Sequence, residues 1–321
     1  MAKVAYLYPG QGAQYSGMCR PFYEAEASVR SYFAEASEVL GYDLAELIFA
    51  EDGRIDDTRY TQPAMVTMEL ALTPFADEAL RGKGFAPAYS AGLSLGEYAA
   101  IAEAGAFGFR DAVSTVARRG ALMADAVPAG EGAMAAVLGA EAALVEHVTG
   151  NIEGAWVANY NCPGQIVITG RKAAVDEACA KLSAAGVKRC VPLKVSGPFH
   201  SPLLKEAGTA LYDVLKAVRW QPLTHPYIAN ADAKAVSDPS EIADSLRRQV
   251  SSSVLWEQSV KEMLKDGVDT FIEIGPGKTL TGFMRKITKA YAEETGADVS
   301  GVKTLRLETP DDFNALCKAE L

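Results

Sequence analysis

Residues 89–100 read Tyr-Ser-Ala-Gly-Leu-Ser-Leu-Gly-Glu-Tyr-Ala-Ala (YSAGLSLGEYAA). An apolar run ends in Gly92-Leu93-Ser94-Leu95-Gly96 and passes straight into a helical pattern, and that order decides the fold. A strand over 87–91, a serine at the joint and a helix over 95–104 make the nucleophile-elbow arrangement of α/β enzymes. The glycines have a steric reason: a sharp strand-to-helix turn brings backbones so close that Cβ atoms have no room. Ser94 then projects from the strand tip. The helix start offers free N–H groups and a positive dipole end to a developing oxyanion. Taken alone, the pattern also fits an ordinary loop serine.

Working outward, strands alternate with helices on both sides. Residues 4–8 (VAYLY) predict a buried strand ending at Pro9-Gly10. Helices are expected over 22–40, stopped by Gly41, and over 61–82, capped by Thr61 with Pro63 in the first turn. A further helix covers 110–126. After Pro128-Ala-Gly-Glu-Gly132 the pattern changes to strand 133–138, helix 140–149, strands 155–160 and 165–170, helix 172–185 and strand 188–193. That βαββαβ order is the ferredoxin-like motif, entered through glycines as an insert. Then come helix 200–217, strand 226–230, helices 239–250 and 255–266, strand 269–274 and a helix to about 290; the tail from 291 is less patterned. The expectation is an α/β chain with a mostly parallel sheet covered on both faces. One unit spans 1–128 and 196–321, and the inserted unit spans 129–195.

Bulk properties narrow the function. The chain has 321 residues and a formal net charge of −10, which repels phosphate backbones and argues against nucleic-acid binding. The five cysteines are odd in number and include no CxxC pair, so free thiols in a reducing compartment are expected rather than disulfides or a metal site. The start MAKVAYLYPGQ lacks the basic, long apolar character of a signal peptide, and no run of about 18 apolar residues predicts a membrane span. A cytoplasmic protein, monomeric and without metal or cofactor, is the expectation.

If Ser94 is a nucleophile, its base is constrained by scarcity. There are three histidines. His147 lies mid-helix. His225 precedes Pro226 at a strand start. His200, in VSGPFHSPLL, sits where a strand stops, at the end where open α/β sheets build their sites. Position favours His200, with His225 left open. The glycine-rich loop YPGQGAQ (8–14) follows the first strand and turns backbone N–H groups inward, or is a plain strand exit. In ARRGALM (117–123), Arg118 and Arg119 lie about 100° apart on an apolar helix. Either both are solvated, or one is a buried fork waiting for a carboxylate.

Six motifs, GQGAQ, GLSLGEYAA, ARRGALM, NYNCPGQ, GPFHSPL and EIGPGKTLTG, occur in this order over about residues 3–290, and together they resemble the malonyl-CoA:acyl carrier protein transacylases. The resemblance implies an α/β-hydrolase-like large subdomain carrying a ferredoxin-like small one. It implies that Ser94 accepts the acyl group, that His200 is base and later acid, and that the Gln249 carbonyl orients the imidazole. It further implies an oxyanion hole from the Gln11 and Leu95 N–H groups and a carboxylate grip by Arg119. Gln62, Met123, Asn159 and Asn161 would line the site, and Phe199 would fill the space that an α-methyl group needs. Malonyl-CoA and an acidic acyl carrier protein are the implied partners. Lys188, Arg189, Arg285, Lys286 and Lys289 are candidate docking cations, or merely solvated charges. Leu93 departs from the family's more frequent histidine, and leucine here also suits stand-alone acyltransferases serving polyketide synthases. A serine thioesterase would share the elbow and histidine but has no use for Arg119. A non-catalytic scaffold needs none of the three.

Overall fold

The computed structural model describes residues 2–195 and 197–321. The boundary expected between 195 and 196 falls on Ser196, which lies outside the described residues. The chain runs β1 (Val4–Tyr8), α1 (Arg20–Ala25), α2 (Ala27–Leu40), α3 (Leu44–Phe49), α4 (Thr58–Arg81), β2 (Pro87–Gly92), α5 (Gly96–Glu103) and α6 (Phe109–Asp125). It continues with β3 (Gly132–Leu138), α7 (Ala142–Gly150), β4 (Ala155–Cys162), β5 (Gln165–Arg171), α8 (Lys172–Ala184) and β6 (Arg189–Pro192). The last third holds α9 (Lys205–Ala217), β7 (Tyr227–Ile228), β8 (Ala235–Val236), α10 (Ile242–Ser251), α11 (Trp256–Lys265), β9 (Thr270–Ile274), α12 (Thr279–Thr295), β10 (Lys303–Leu307) and α13 (Pro310–Lys318).

The larger sheet has six strands in the order β10-β9-β1-β2-β7-β8. All its pairs are parallel except β7 with β8. VAYLY lies at its centre with every residue buried, as a strand covered on both faces requires. Alternate side chains serve opposite layers. Val4, Tyr6 and Tyr8 join the core under α4, α5 and α6. Ala5 and Leu7 join Trp256, Phe271 and Leu280 on the other side.

The second sheet has four strands, β4-β5-β3-β6, all antiparallel. Ala135, Val137, Ile166 and Ile168 pack against α7 and α8 residues such as Val145 and Val175. The alternate residues Met134, Ala136 and Val167 point away from those helices and line a cavity. In β4, Val157 joins the helix-side core while Asn159, only two residues on, faces the other way. A register shift between them is the cause: a bulge re-aims the strand. The same segment is tied to the larger unit, since Tyr160 N–H donates to the Val254 carbonyl at 2.9 Å and Val254 N–H to that of Ala158 at 2.8 Å.

Several local expectations are corrected. The helix expected over 22–40 is two helices, broken where Glu26 takes an extended conformation. α4 is capped by Asp57, whose carboxylate accepts from Arg59 N–H at 2.9 Å, and not by Thr61. Thr61 lies inside the helix and returns its hydroxyl to the Ile55 and Asp57 carbonyls. The helix expected from 200 starts at Lys205, after a 3-10 turn at Pro202–Leu204, and His200 is left in the preceding turn. The tail is ordered: β10 extends the parallel sheet beside β9, and α13 is fixed by a Thr309–Asp312 capping box. Among the described residues no helix is long and apolar enough to cross a membrane.

At the joint of β2 and α5 the two glycines are steric necessities. A Cβ on Gly92 would lie 1.9 Å from the Gly96 carbonyl carbon, and one on Gly96 would lie 2.2 Å from the Tyr8 carbonyl oxygen. Gly92→Ala is therefore expected to destabilise the fold by about 3 kcal/mol or more, the upper end of overpacking costs. Urea unfolding measures this, and wild-type stability would refute the close strand–helix contact.

Candidate active site

The site lies where β1 and β2 end, under the open face of the small sheet. A cavity of about 260 Å³ is lined by Gly10, Gln11 and Gly12 after β1, by Leu93 and Ser94 after β2, and by Arg119 and Met123 of α6. Met134, Asn159, Asn161, Gln165 and Val167 close it from the small sheet, Phe199 and His200 from the turn before α9, and Thr279 and Phe283 from α12. Parallel strands point their C-terminal ends here, and the loops that leave them carry the polar groups.

Ser94 and His200 both hold left-handed backbone conformations, with φ of 53° and 57°. Such conformations cost non-glycine residues on the order of 1–3 kcal/mol and persist where the surroundings over-determine them. The two side chains meet: Ser94 Oγ lies 2.7 Å from His200 Nε2. His200 Nδ1 lies 2.9 Å from the Gln249 backbone carbonyl, which only accepts, so the Nδ1 proton is assigned and Nε2 is left with its lone pair toward the serine. The arrangement can take the hydroxyl proton.

Arg119 is the buried arginine of the pair, 1% exposed, while Arg118 is on the surface. Its Nη2 donates to Ser94 Oγ at 3.1 Å and to Gln249 Oε1 at 2.9 Å. Its Nε is buried without a partner among the described residues, and its guanidinium lies 5.3 Å from the Tyr98 ring centre. A buried cation with one donor at the serine and another, Nε, without a partner suits a planar anion.

His225 is excluded as the partner of Ser94. Its Nε2 lies 2.8 Å from Ser90 Oγ and 3.1 Å from the Glu103 carboxylate, in a cluster built into the interior. His147 is exposed on α7. Of the other expected site residues, Gln11, Met123, Asn159, Asn161 and Phe199 line the cavity. Gln62 stands one layer back, with its amide 3.8 Å from the Met123 sulfur. Leu95 offers backbone only, since its side chain is buried and the first turn of α5 leaves its N–H without an intrahelical acceptor.

Three groups escaped the sequence reading. Asn230 accepts from Ser94 N–H at 2.6 Å. Glu97 accepts from the Asn230 N–H at 3.1 Å and from Gln249 Nε2 at 2.8 Å. The Gln249 side chain also reaches the Ser94 carbonyl at 2.7 Å. The signal for Glu97 was a single acid in the first turn of an otherwise apolar segment. That for Asn230 was an amide just past a parallel strand.

Burial sets the electrostatics. It pushes Glu97 up to about 7, against the bonds from Gln249 and Asn230 and the charge of Arg119. Burial first, and the Arg119 guanidinium second, depress His200 to about 4, against its bond to Gln249. His200 is thus neutral and able to accept a proton across the physiological range. In NMR the His200 ring should titrate near 4 rather than near 6.5. Arg119→Met should raise that midpoint, because the opposing charge is gone while burial remains. A wild-type midpoint near 6.5, or no rise in the variant, contradicts this account.

Residues 5–316 match the family model of the acyl transferase domain. The malonyl CoA-acyl carrier protein transacylase of Bacillus subtilis is 44% identical over 294 residues, covering 90% of this chain and 92% of that protein. The namesake from Staphylococcus aureus is 38% identical over 309 residues, covering 94% and 98%. The crystal structure of MCAT from Streptococcus pneumoniae superposes with a TM-score of 0.89 at 41% identity, covering 98% of this chain and 99% of that one. The Ser94–His200 pair, with a buried arginine at the serine oxygen, thus lies in a chain that belongs to the acyl transferase domain family.

Proposed function

We propose that this protein moves a malonyl group from malonyl-CoA to the phosphopantetheine thiol of an acyl carrier protein in fatty-acid synthesis, by way of an ester on Ser94. The observation that carries the reading is Arg119: a buried cation within hydrogen-bond distance of the serine oxygen suits an acyl group that brings a carboxylate. The relatives named above transfer malonyl groups, which agrees with that chemistry. The catalytic unit in this reading is 1–128 with 196–321, and 129–195 supplies the facing wall.

The steps follow from the geometry. Arg119 turns its donors to the substrate carboxylate and sets the thioester carbonyl over Ser94. His200 Nε2 takes the hydroxyl proton as Oγ forms its bond to the carbonyl carbon. The Gln11 and Leu95 N–H groups face the resulting oxyanion. Collapse breaks the carbon–sulfur bond, and the coenzyme A thiolate leaves with the proton from His200. The carrier thiol then repeats the sequence in reverse, giving its proton to His200, and Ser94 recovers it. Met123, Asn159 and Asn161 border the acyl and thioester path, and Gln62 supports Met123. Phe199 occupies the space beside His200 that an α-methyl group would need, and so favours malonyl over branched extenders.

Mixing with malonyl-CoA should add one malonyl group, seen by intact mass, that is absent in Ser94→Ala. Arg119→Met should cut malonyl turnover at least 100-fold and acetyl turnover far less. Methylmalonyl-CoA should turn over at least tenfold more slowly than malonyl-CoA. Failure to form the Ser94 adduct sinks the reading, and equal losses for malonyl and acetyl sink the role of Arg119.

For the carrier protein, Lys188, Arg189, Arg285, Lys286 and Lys289 are all exposed. Lys289 has a partner in Glu293 at 3.6 Å. Lys286 has the strongest claim, because with Lys278 it borders a shallow groove that shares Gln165, Thr279 and Phe283 with the cavity. One structural neighbour, 34% identical, is a malonyl-transacylase in complex with a type II polyketide acyl-carrier protein. With Leu93 in the cavity wall, a polyketide carrier is the second reading. Reversing Arg285 and Lys286 to glutamate should raise the KM for the carrier at least tenfold at low salt and leave that for malonyl-CoA unchanged. An unchanged carrier KM removes this face from docking.

A further inference from the structure

Ser94 keeps a left-handed turn without the freedom of glycine, and both of its backbone polar groups are held by side chains. Its N–H donates to Asn230 Oδ1 at 2.6 Å, and its carbonyl accepts from Gln249 Nε2 at 2.7 Å. The same Asn230 amide donates through Nδ2 to the Gly92 carbonyl at 2.7 Å. One side chain therefore brackets the elbow from both sides of Leu93.

Asn230 is itself fixed. Its backbone N–H donates to Glu97 Oε2 at 3.1 Å, and its carbonyl accepts from Leu255 N–H at 2.9 Å. Glu97 Oε2 also accepts from Gln249 Nε2 at 2.8 Å. Asn230, Glu97 and Gln249 are all fully buried, and none of them lines the cavity. They touch the reaction only through the serine, its histidine and Arg119.

We infer that Asn230 and Glu97 are positioning residues for Ser94. Asn230 sets the left-handed turn, and Glu97 clamps Asn230 and Gln249 together, so that Oγ stands where His200 Nε2 can take its proton. The inference rests on Ser94 being the group that accepts the acyl chain. It adds residues that act on where the serine points, not on what it binds. A merely structural role would lower stability and leave the reactivity of the folded fraction alone.

The test follows Ser94 in two ways: its malonylation by malonyl-CoA, and its phosphonylation by a fluorophosphonate probe, each alongside thermal unfolding. Asn230→Ala is expected to slow both reactions of the folded protein about 100-fold, the effect of misplacing a reacting atom by roughly an ångström. The KM for malonyl-CoA should stay within about threefold. Glu97→Gln keeps an oxygen that can accept both bonds and should react within about fivefold of wild type. Glu97→Ala should lose about tenfold or more, so the pair carries the test even if Asn230→Ala does not fold. Wild-type phosphonylation rates in the folded alanine variants, or a loss confined to KM, would overturn the inference. The phosphonate reads the serine without malonyl-CoA, so a failure of the substrate assignment shows only in the malonyl arm.

Discussion

The contact between Gly92 and Gly96 is the constraint from which the site follows. With no Cβ on either side, β2 and α5 join in one tight turn, and the two residues between Leu93 and Gly96 have no room for an ordinary exit from the strand. Ser94 is pushed to a φ of 53° and out over the sheet edge. Everything nearby then serves to hold it there. Leu93 N–H bonds the Tyr8 carbonyl at 2.9 Å, which ties the elbow to the end of β1 and brings the Gln11 loop alongside. Hydrogen bonds to the Ser94 backbone, each of about 1 kcal/mol net, offset a strain of similar size.

The polar network behind the serine is balanced as well as dense. His200 lies near 4 and Glu97 near 7, each displaced by burial toward its neutral form. Their contributions to stability have opposite slopes. Between about 4 and 6.5 the unfolded chain binds more protons than buried His200, so that term weakens folding as pH falls. Between about 4.5 and 7 buried Glu97 binds more protons than in the unfolded chain, so that term weakens folding as pH rises. Over the shared range the two offset each other.

What the sequence made legible were features with a local cause. VAYLY, the elbow glycines and the alternation of β3 and β5 each follow from burial or sterics within a few residues. Arg119 against Arg118 was legible as a choice, and helix packing made it. The unread features depend on distant contacts. The bulge after Val157 turns Asn159 toward the cavity, and nothing in AWVANYNC marks it. Asn230 and Glu97 are separated by 133 positions and meet only because β7 lies beside β2. The tail lacked a pattern because β10 is an edge strand only partly covered, so its alternation is weak. The helix expected from 200 begins only at Lys205, because the positive φ of His200 bars a helix at that position.

The position of Arg119 explains why the two halves of the chemistry belong together. Its charge is buried and coupled to Glu97, an acid that burial itself discourages from ionising. The hydrogen bonds Arg119 makes, to the Ser94 hydroxyl and the Gln249 amide oxygen, go to neutral groups. Among the described residues the Arg119 Nε has no partner. A carboxylate supplies both the charge and two parallel acceptors. On the proposed reading that carboxylate would offset the Arg119 charge that helps depress His200, which would make the imidazole a stronger base while such an acyl group is in place. On that reading one guanidinium, 3.1 Å from Ser94 Oγ, would serve both recognition of the far end of the substrate and activation of the serine.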